Sequence, residues 1–412
     1  MVLVAALVIA TTLALLYRQL LAEGSDTLLS TALVMLAAWA CSIHWLARPH
    51  LFTLLFVVVF GWQLRWFDRE RVSSRQLFLG LVPLMVLWTN LHGGFLAGLT
   101  LIGIHFVGNI LRAVMGDTSP QPVLRRRITT LGILGVTCAL ATLLNPNGWK
   151  LHQHLLSFLW NPSQSYFTSE WNSANFHFGG MRGFALQLLV LGFTLIVVRR
   201  PWATPDLLLV AFWLYSGLNA MRNVPIFALI ATPILAEHLS SWWQGAHDSA
   251  WSAWFRRISN DVGELNRTPG GGGLVAVVVI VILLILQRPV VKTKIWPNRF
   301  PVATVDYLRA HPETIHGEMF NEDGWGGYFI LYLPERKVFI DGRDDFYDQA
   351  LLQDFTDVSH VTPAWEKVFE KYHVRWTILP AQHPLNRILE LRSDWQLTFS
   401  NRVALVFSHA SS

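Results

Sequence analysis

The chain has 412 residues, 52% apolar, 13% aromatic and only 14% charged, with a formal net charge of +5. A soluble globular domain carries about 25% charged residues, so this composition excludes a disordered chain, a coiled coil and an ordinary cytosolic enzyme. Residues 1–287 hold 18 Lys+Arg and 11 Asp+Glu, whereas residues 288–412 hold 14 and 16. That contrast reads as a transmembrane domain over 1–287 followed by an extracytoplasmic soluble domain over 288–412.

A membrane-spanning helix needs roughly 20 mostly apolar residues, and fewer where neighbours shield its ends. In chain order, ten segments qualify: 2–17, 27–46, 51–64, 77–89, 94–111, 128–144, 183–198, 205–220, 224–241 and 273–287. The pair around Thr89–Gly94 also reads as one broken helix. Gly61, Pro83, Gly132, Pro225 and Pro233 lie inside these runs, where packed neighbours re-satisfy freed backbone groups. Thr268-Pro-Gly-Gly-Gly-Gly273 is a flexible cytoplasmic linker before the last span. Cys41 and Cys138 sit within apolar runs and read as small core residues, not as a disulfide.

Cytoplasmic loops of membrane proteins carry the excess of Lys and Arg. Alternating the spans from a cytoplasmic 65–76 loop puts 14 basic residues inside, leaving only Arg48, Lys150, Arg182 and Arg222 outside. The surplus of positive charge therefore reads as membrane orientation, with no nucleic-acid partner. Both the N-terminus and the C-terminal domain fall on the outer side. An N-terminus that opens outside, directly in an apolar run, leads us to expect a missing upstream segment.

Alternation also sorts the polar clusters, and nearly all fall outside: Arg48-Pro-His50, Asn90-Leu-His92-Gly-Gly94, Asn145-Pro-Asn-Gly-Trp149, Glu170-Trp171 and Arg222-Asn-Val-Pro225. Polar residues at membrane depth are costly and point to function. Plainer readings stay open: Arg48 and Arg222 as helix-end anchors, His92 in a glycine turn, Asn145-Pro-Asn-Gly as a helix stop, and Trp149, Trp160 and Trp171 as an aromatic belt. Cationic Arg and His at the lip of an outward cavity suit a phosphate or pyrophosphate head group. The apolar spacing at 151, 155, 156 and 159 predicts a helix lying in the interface. His152 and His154 then face apart, which disfavours a metal pair.

Beyond Phe300 the pattern predicts a helix at 302–310, then strands at 317–321, 328–332 and 337–341. Helices follow at 344–354 and 362–372, and strands at 376–379, 395–399 and 404–407. This is a small α/β domain. Asp341 falls at the C-terminal end of a strand, where ligand sites of open α/β sheets lie. Asp344, Asp345 and Asp348 add acidity; a divalent metal is conceivable there, but a solvated helix-capping turn is the better reading.

The order of these clusters resembles multi-span bacterial membrane proteins of the GT-C type, related to glycosyltransferases that use lipid-linked sugars. The resemblance rests on Trp45-Leu-Ala-Arg-Pro-His-Leu-Phe52, Asn90-Leu-His-Gly-Gly-Phe95, Leu144-Asn-Pro-Asn-Gly-Trp149, Arg222-Asn-Val-Pro225, Asn321…Gly326-Gly-Tyr328 and Val338-Phe-Ile-Asp-Gly-Arg343. It implies transfer from a polyprenyl-phosphate-linked sugar to a glycan or protein acceptor on the outer face of the bacterial inner membrane. It makes Arg48, His50, His92, Arg222, Asn223 and Arg343 the candidates for substrate or phosphate contact. In this group an acid residue in the first outer loop deprotonates the acceptor; that loop is absent, with Asp341 and Glu170 as substitutes. The competing expectations are a non-catalytic partner or scaffold in envelope polysaccharide assembly and, further off, a lipid or glycan transporter.

Overall fold

The computed structural model describes residues 2–116, 120–159, 169–245, 250–267, 297–343 and 347–410. The chain divides into two compact units, Met1–Gly272 and Gly273–Ser412. The expected boundary at 287/288, the 268–273 linker and the tenth span lie outside the described residues.

The first unit is helical: α1 Val2–Ala22, α2 Thr27–Cys41, α3 His50–Asp68, α4 Ser74–Leu91, α5 Phe95–Val114, α6 Gln121–Ala141, α7 Trp149–Leu159, α8 Arg182–Val197, α9 Thr204–Asn219, α10 Val224–Gly245 and α11 Ala250–Arg267. Nine of the ten expected spans thus coincide with helices, and six helical stretches are long and apolar enough to cross a membrane. The other three fall short for visible reasons. Helix α9 has only 16 residues, α6 opens on Arg125-Arg-Arg127, and α4 opens on Ser-Arg-Gln.

Local chemistry sets several helix ends. Asp26 accepts from the Leu28 and Leu29 amides at 3.0 and 3.4 Å to start α2. Ser73 and Gln76 form a reciprocal capping box on α4. The backbone at His92 is extended, so 89–94 separates two helices rather than kinking one. Helix α10 is the central element, packed against α2, α3, α8 and α9. Phe60, Phe67, Trp88, Phe95, Phe184 and Phe227 are fully buried in the core of this unit.

The second unit contains α12 Val302–Ala310, β1 Glu318–Asn321, α13 Asp323–Tyr332, α14 Gln349–Ser359, α15 Trp365–Lys371, β2 Val374–Pro380, α16 Pro384–Glu390, β3 Trp395–Ser400 and β4 Ala404–His409. The sheet order is β1-β2-β4-β3, with β1 parallel to β2 and the remaining pairs antiparallel. Successive strand side chains point to opposite faces. Trp376 and Ile378 accordingly join Met319, Phe329 and Val406, whereas Leu379 joins Phe320, Phe369 and Phe407. Both faces carry a core, as an α/β arrangement requires.

Two expected strands are absent. Tyr328–Tyr332 is the second half of α13: Trp325–Phe329 and Tyr328–Tyr332 pair their rings at helical spacing. A short apolar run fits either period, and ring packing decides here for the helix. The 337–341 segment is irregular because the Asn321 carboxamide takes the place of a strand neighbour. It donates to the Ile340 carbonyl at 2.9 Å and accepts from the Phe339 amide at 2.7 Å. Asp341 therefore does not end a strand. The helix expected from 344 begins at Gln349, where Asp348 accepts from the Leu351 amide at 2.8 Å. Helix α16, capped by His383, was not expected from the sequence.

Candidate functional site

Helices alternate in direction, so the α2/α3, α4/α5 and α9/α10 connections meet at one end of the bundle. Helix α2 ends in a 3-10 turn over Ser42–His44, and α3 restarts at His50 after Pro49. The His50 Nε2–H donates to the His44 carbonyl at 2.8 Å, and the two rings lie 4.9 Å apart. The His92 ring is 6.3 Å from that of His50. Its Nδ1 accepts from the Gly94 amide at 3.0 Å and lies 2.9 Å from the Thr53 hydroxyl. The Trp88 indole N–H donates to the same Thr53 oxygen at 3.0 Å.

Gly94 is required by close approach. A Cβ there would lie 2.3 Å from Thr53 Oγ1 and 2.7 Å from His92 Nδ1. Burial pushes the His92 imidazole down to about 4, and the Arg222, His50 and His44 charges act in the same direction. His92 is therefore neutral at physiological pH.

The 170–174 segment hooks onto the α9/α10 connection. The Met221 amide donates to Asn172 at 3.0 Å and the Ala174 amide to Leu218 at 3.1 Å. That hook sets Trp171 under Arg222, whose guanidinium lies 4.2 Å from the ring centroid. Glu170 then faces His44 Nε2 at 3.8 Å and Arg48 Nη1 at 3.7 Å.

Of the expected residues, Arg48, His50, His92, Arg222 and Glu170 thus gather at one end of the helical unit. Asn223 is turned to structure, donating to the Ser216 carbonyl at 3.2 Å to close the end of α9. Asp341 and Arg343 sit together in the other unit. Asp341, 2% exposed, accepts from Arg343 Nε at 2.8 Å and Nη2 at 2.5 Å, which holds its carboxyl below the ordinary range. Asp344, Asp345 and Trp160 lie outside the described residues. Among the described residues, no group of three or more His, Cys, Asp or Glu is placed to hold a metal ion.

The neighbouring polar motifs do mechanical work. Asn145 donates to the Thr142 and Gly148 carbonyls and accepts from the Asn147 amide, a helix stop and turn. Asn90 ties α4 to the end of α6 through the Leu144 carbonyl at 2.9 Å. On α7, His152 stacks on Trp149 and lies 2.8 Å from the Thr142 hydroxyl, so it is part of the packing.

Two features escaped the sequence reading. His44 and Thr53 complete the cluster, yet nothing in the residues around them marks them. At the opposite end of the bundle lies a dense ion-pair network that begins on α3. That helix runs on to Asp68, so Arg65 is a helical residue and only 4% exposed, not part of a loop. Arg65 pairs with Asp206, with Glu237 at 3.0 Å and with Glu23 at 3.2 Å. Arg69 joins the same two glutamates, and Arg200 reaches Glu237 at 2.8 Å. Asp68 holds His105 at 2.6 Å and Asn109 at 3.0 Å. A cavity of about 440 Å³, lined in part by Glu23, Arg69, Arg71, Arg200 and Glu237, opens beside this network.

No protein family's sequence profile matches the chain. No curated protein matches it in sequence.

Proposed function

We propose that the chain is a GT-C-type membrane glycosyltransferase of the bacterial inner membrane, acting on its outer face with a polyprenyl-phosphate-linked sugar. The observation that carries this reading is the convergence of Arg48, His50, His92, Arg222 and Glu170, drawn from four connections, on one end of the helical unit. Two guanidinium groups and neutral imidazole donors at the edge of an apolar bundle match the chemistry of a lipid phosphate. The same groups stabilise charge as it develops on a phosphate leaving group. The arginine-rich network at the other end accords with a cytoplasmic placement of that end, since basic residues favour that side.

The test is binding of polyprenyl phosphate to the purified full chain in lipid nanodiscs, paired with analysis of cell-surface glycans. Binding that drops at least tenfold in Arg48→Ala and His92→Ala, with altered glycans in both, supports the reading. Absence of polyprenyl-phosphate binding, with glycans unchanged in both variants, refutes it.

A further inference from the structure

Two adjacent imidazoles of the cluster are fixed by backbone groups in ways that expose opposite chemistry. A carbonyl can only accept, so the 2.8 Å contact from His50 Nε2 to the His44 carbonyl places the proton of His50 on Nε2. An amide N–H can only donate, so the 3.0 Å contact from Gly94 to His92 Nδ1 leaves that nitrogen unprotonated. The neutral His92 ring therefore carries its proton on Nε2. Thr53, itself held by the Trp88 indole, adds a second contact to His92 Nδ1 and locks the ring. Neither His50 Nδ1 nor His92 Nε2 has a protein hydrogen-bond partner.

The free atoms therefore differ. His50 presents a lone pair at Nδ1, and His92 presents an N–H at Nε2, with ring centroids 6.3 Å apart. We infer that His50 is the proton acceptor and His92 the neutral hydrogen-bond donor of one transfer site, with Thr53 and Trp88 as positioning residues. This rests on the lipid-phosphate-sugar reading above and supplies the base that the sequence lacks. The acceptor hydroxyl gives its proton to His50 Nδ1 while its oxygen bonds to the anomeric carbon. The bond from that carbon to the phosphate oxygen breaks, and its electron pair leaves with the polyprenyl phosphate. His92 Nε2–H donates to the phosphate oxygen that gains the charge, and Arg48 and Arg222 balance the charge at longer range. The Glu170 carboxylate, which interacts with both His44 and His50, offsets the imidazolium formed at His50.

Solid-state NMR of the full chain with [15N]histidine in lipid nanodiscs reads both tautomers without any turnover. The resonances are assigned with His50→Gln and His92→Gln. The expected spectrum has both residues neutral and protonated at Nε2; added polyprenyl phosphate moves the His92 Nε2–H resonance and leaves His50 Nε2–H in place. In a transfer assay over a panel of polyprenyl-phosphate hexoses, His50→Gln keeps the donor to the His44 carbonyl but loses the base, and falls at least 100-fold. It still binds polyprenyl phosphate like the wild type. A proton on Nδ1 of either ring overturns the inference, as does wild-type transfer by His50→Gln. Correct tautomers with no response of any histidine to polyprenyl phosphate remove the substrate reading itself, and with it the roles given to the two rings.

Discussion

The Glu170 carboxylate stands 3.7 Å from the Arg48 guanidinium and faces His44 on its other side, joining a loop before α8 to the turn between α2 and α3. Arg48 is 60% exposed in its side chain, so solvent screens this pair and its worth to stability is small. Its effect on an anion is different, because Glu170 competes for the cation. Glu170→Gln is expected to leave the melting temperature within about 2 °C of wild type and to tighten polyprenyl-phosphate binding about two- to fivefold. Thermal unfolding and a binding isotherm in the same nanodiscs check both; weaker binding would assign Glu170 a direct role in holding the ligand.

Gly94 is the tightest point of the His92 mount. Its backbone is in the ordinary helical region, so Gly94→Ala meets no conformational strain but drives a methyl against Thr53 and His92. Overpacking of this kind costs about 1–3 kcal/mol. Adding Thr53→Ala removes the nearest clash and should restore part of the melting temperature. It should not restore ligand binding, because the Thr53 contact to His92 is then lost. A double-mutant cycle on both readouts separates the two effects.

Arg65 carries the largest stability prediction. Its removal leaves Glu23, Asp206 and Glu237 without their shared partner in the interior of the bundle. Stripping one member from a buried ion pair costs about 3–5 kcal/mol. Arg65→Ala should therefore fold poorly, whereas Arg65→Gln combined with Glu237→Gln should recover much of the loss. Lysine is expected to replace arginine only in part, since one ammonium cannot span three carboxylates in a fixed fork. Denaturation in mild detergent ranks the four proteins.

His92 gives a pH prediction whose sign is fixed. Its pKa lies at about 4 in the folded chain, below the ordinary value of 6.5, so the folded state prefers the neutral ring. The stability it contributes is fully present above about 6.5 and is lost as pH falls through that value toward 4, by at most about 1.4 kcal/mol per pH unit. His92→Gln should flatten this part of the stability curve. Asp341 acts further down: Arg343 lowers its pKa, so its contribution is present above the ordinary carboxylate value and fades in more acidic solution. Asp341→Asn should lose stability near neutrality and flatten the acid limb below about pH 4.

The sequence by itself determined the features that are local in their physics. Apolar runs of near-membrane length located nine helices, the charge contrast separated the two parts of the chain, and Asn145-Pro-Asn-Gly marked a helix stop because its side chain satisfies nearby backbone. Strands β2 and β4 were legible because buried apolar residues dominate them. Tyr328–Tyr332 was misread because five apolar residues carry no decisive period, and 337–341 because Asn321, distant in sequence, satisfies its backbone. Tertiary structure alone decided that Glu170 meets His44 and Arg48, that Thr53 and Gly94 grip His92, and that Arg65 is a buried hub. Each depends on side chains from separate helices meeting at a bundle end, and such meetings leave no periodicity in the chain. Arg48, His50, His92 and Arg222 were visible as rare polar residues among apolar ones; what each ring nitrogen presents was fixed only by the backbone carbonyl or amide that folding sets against it.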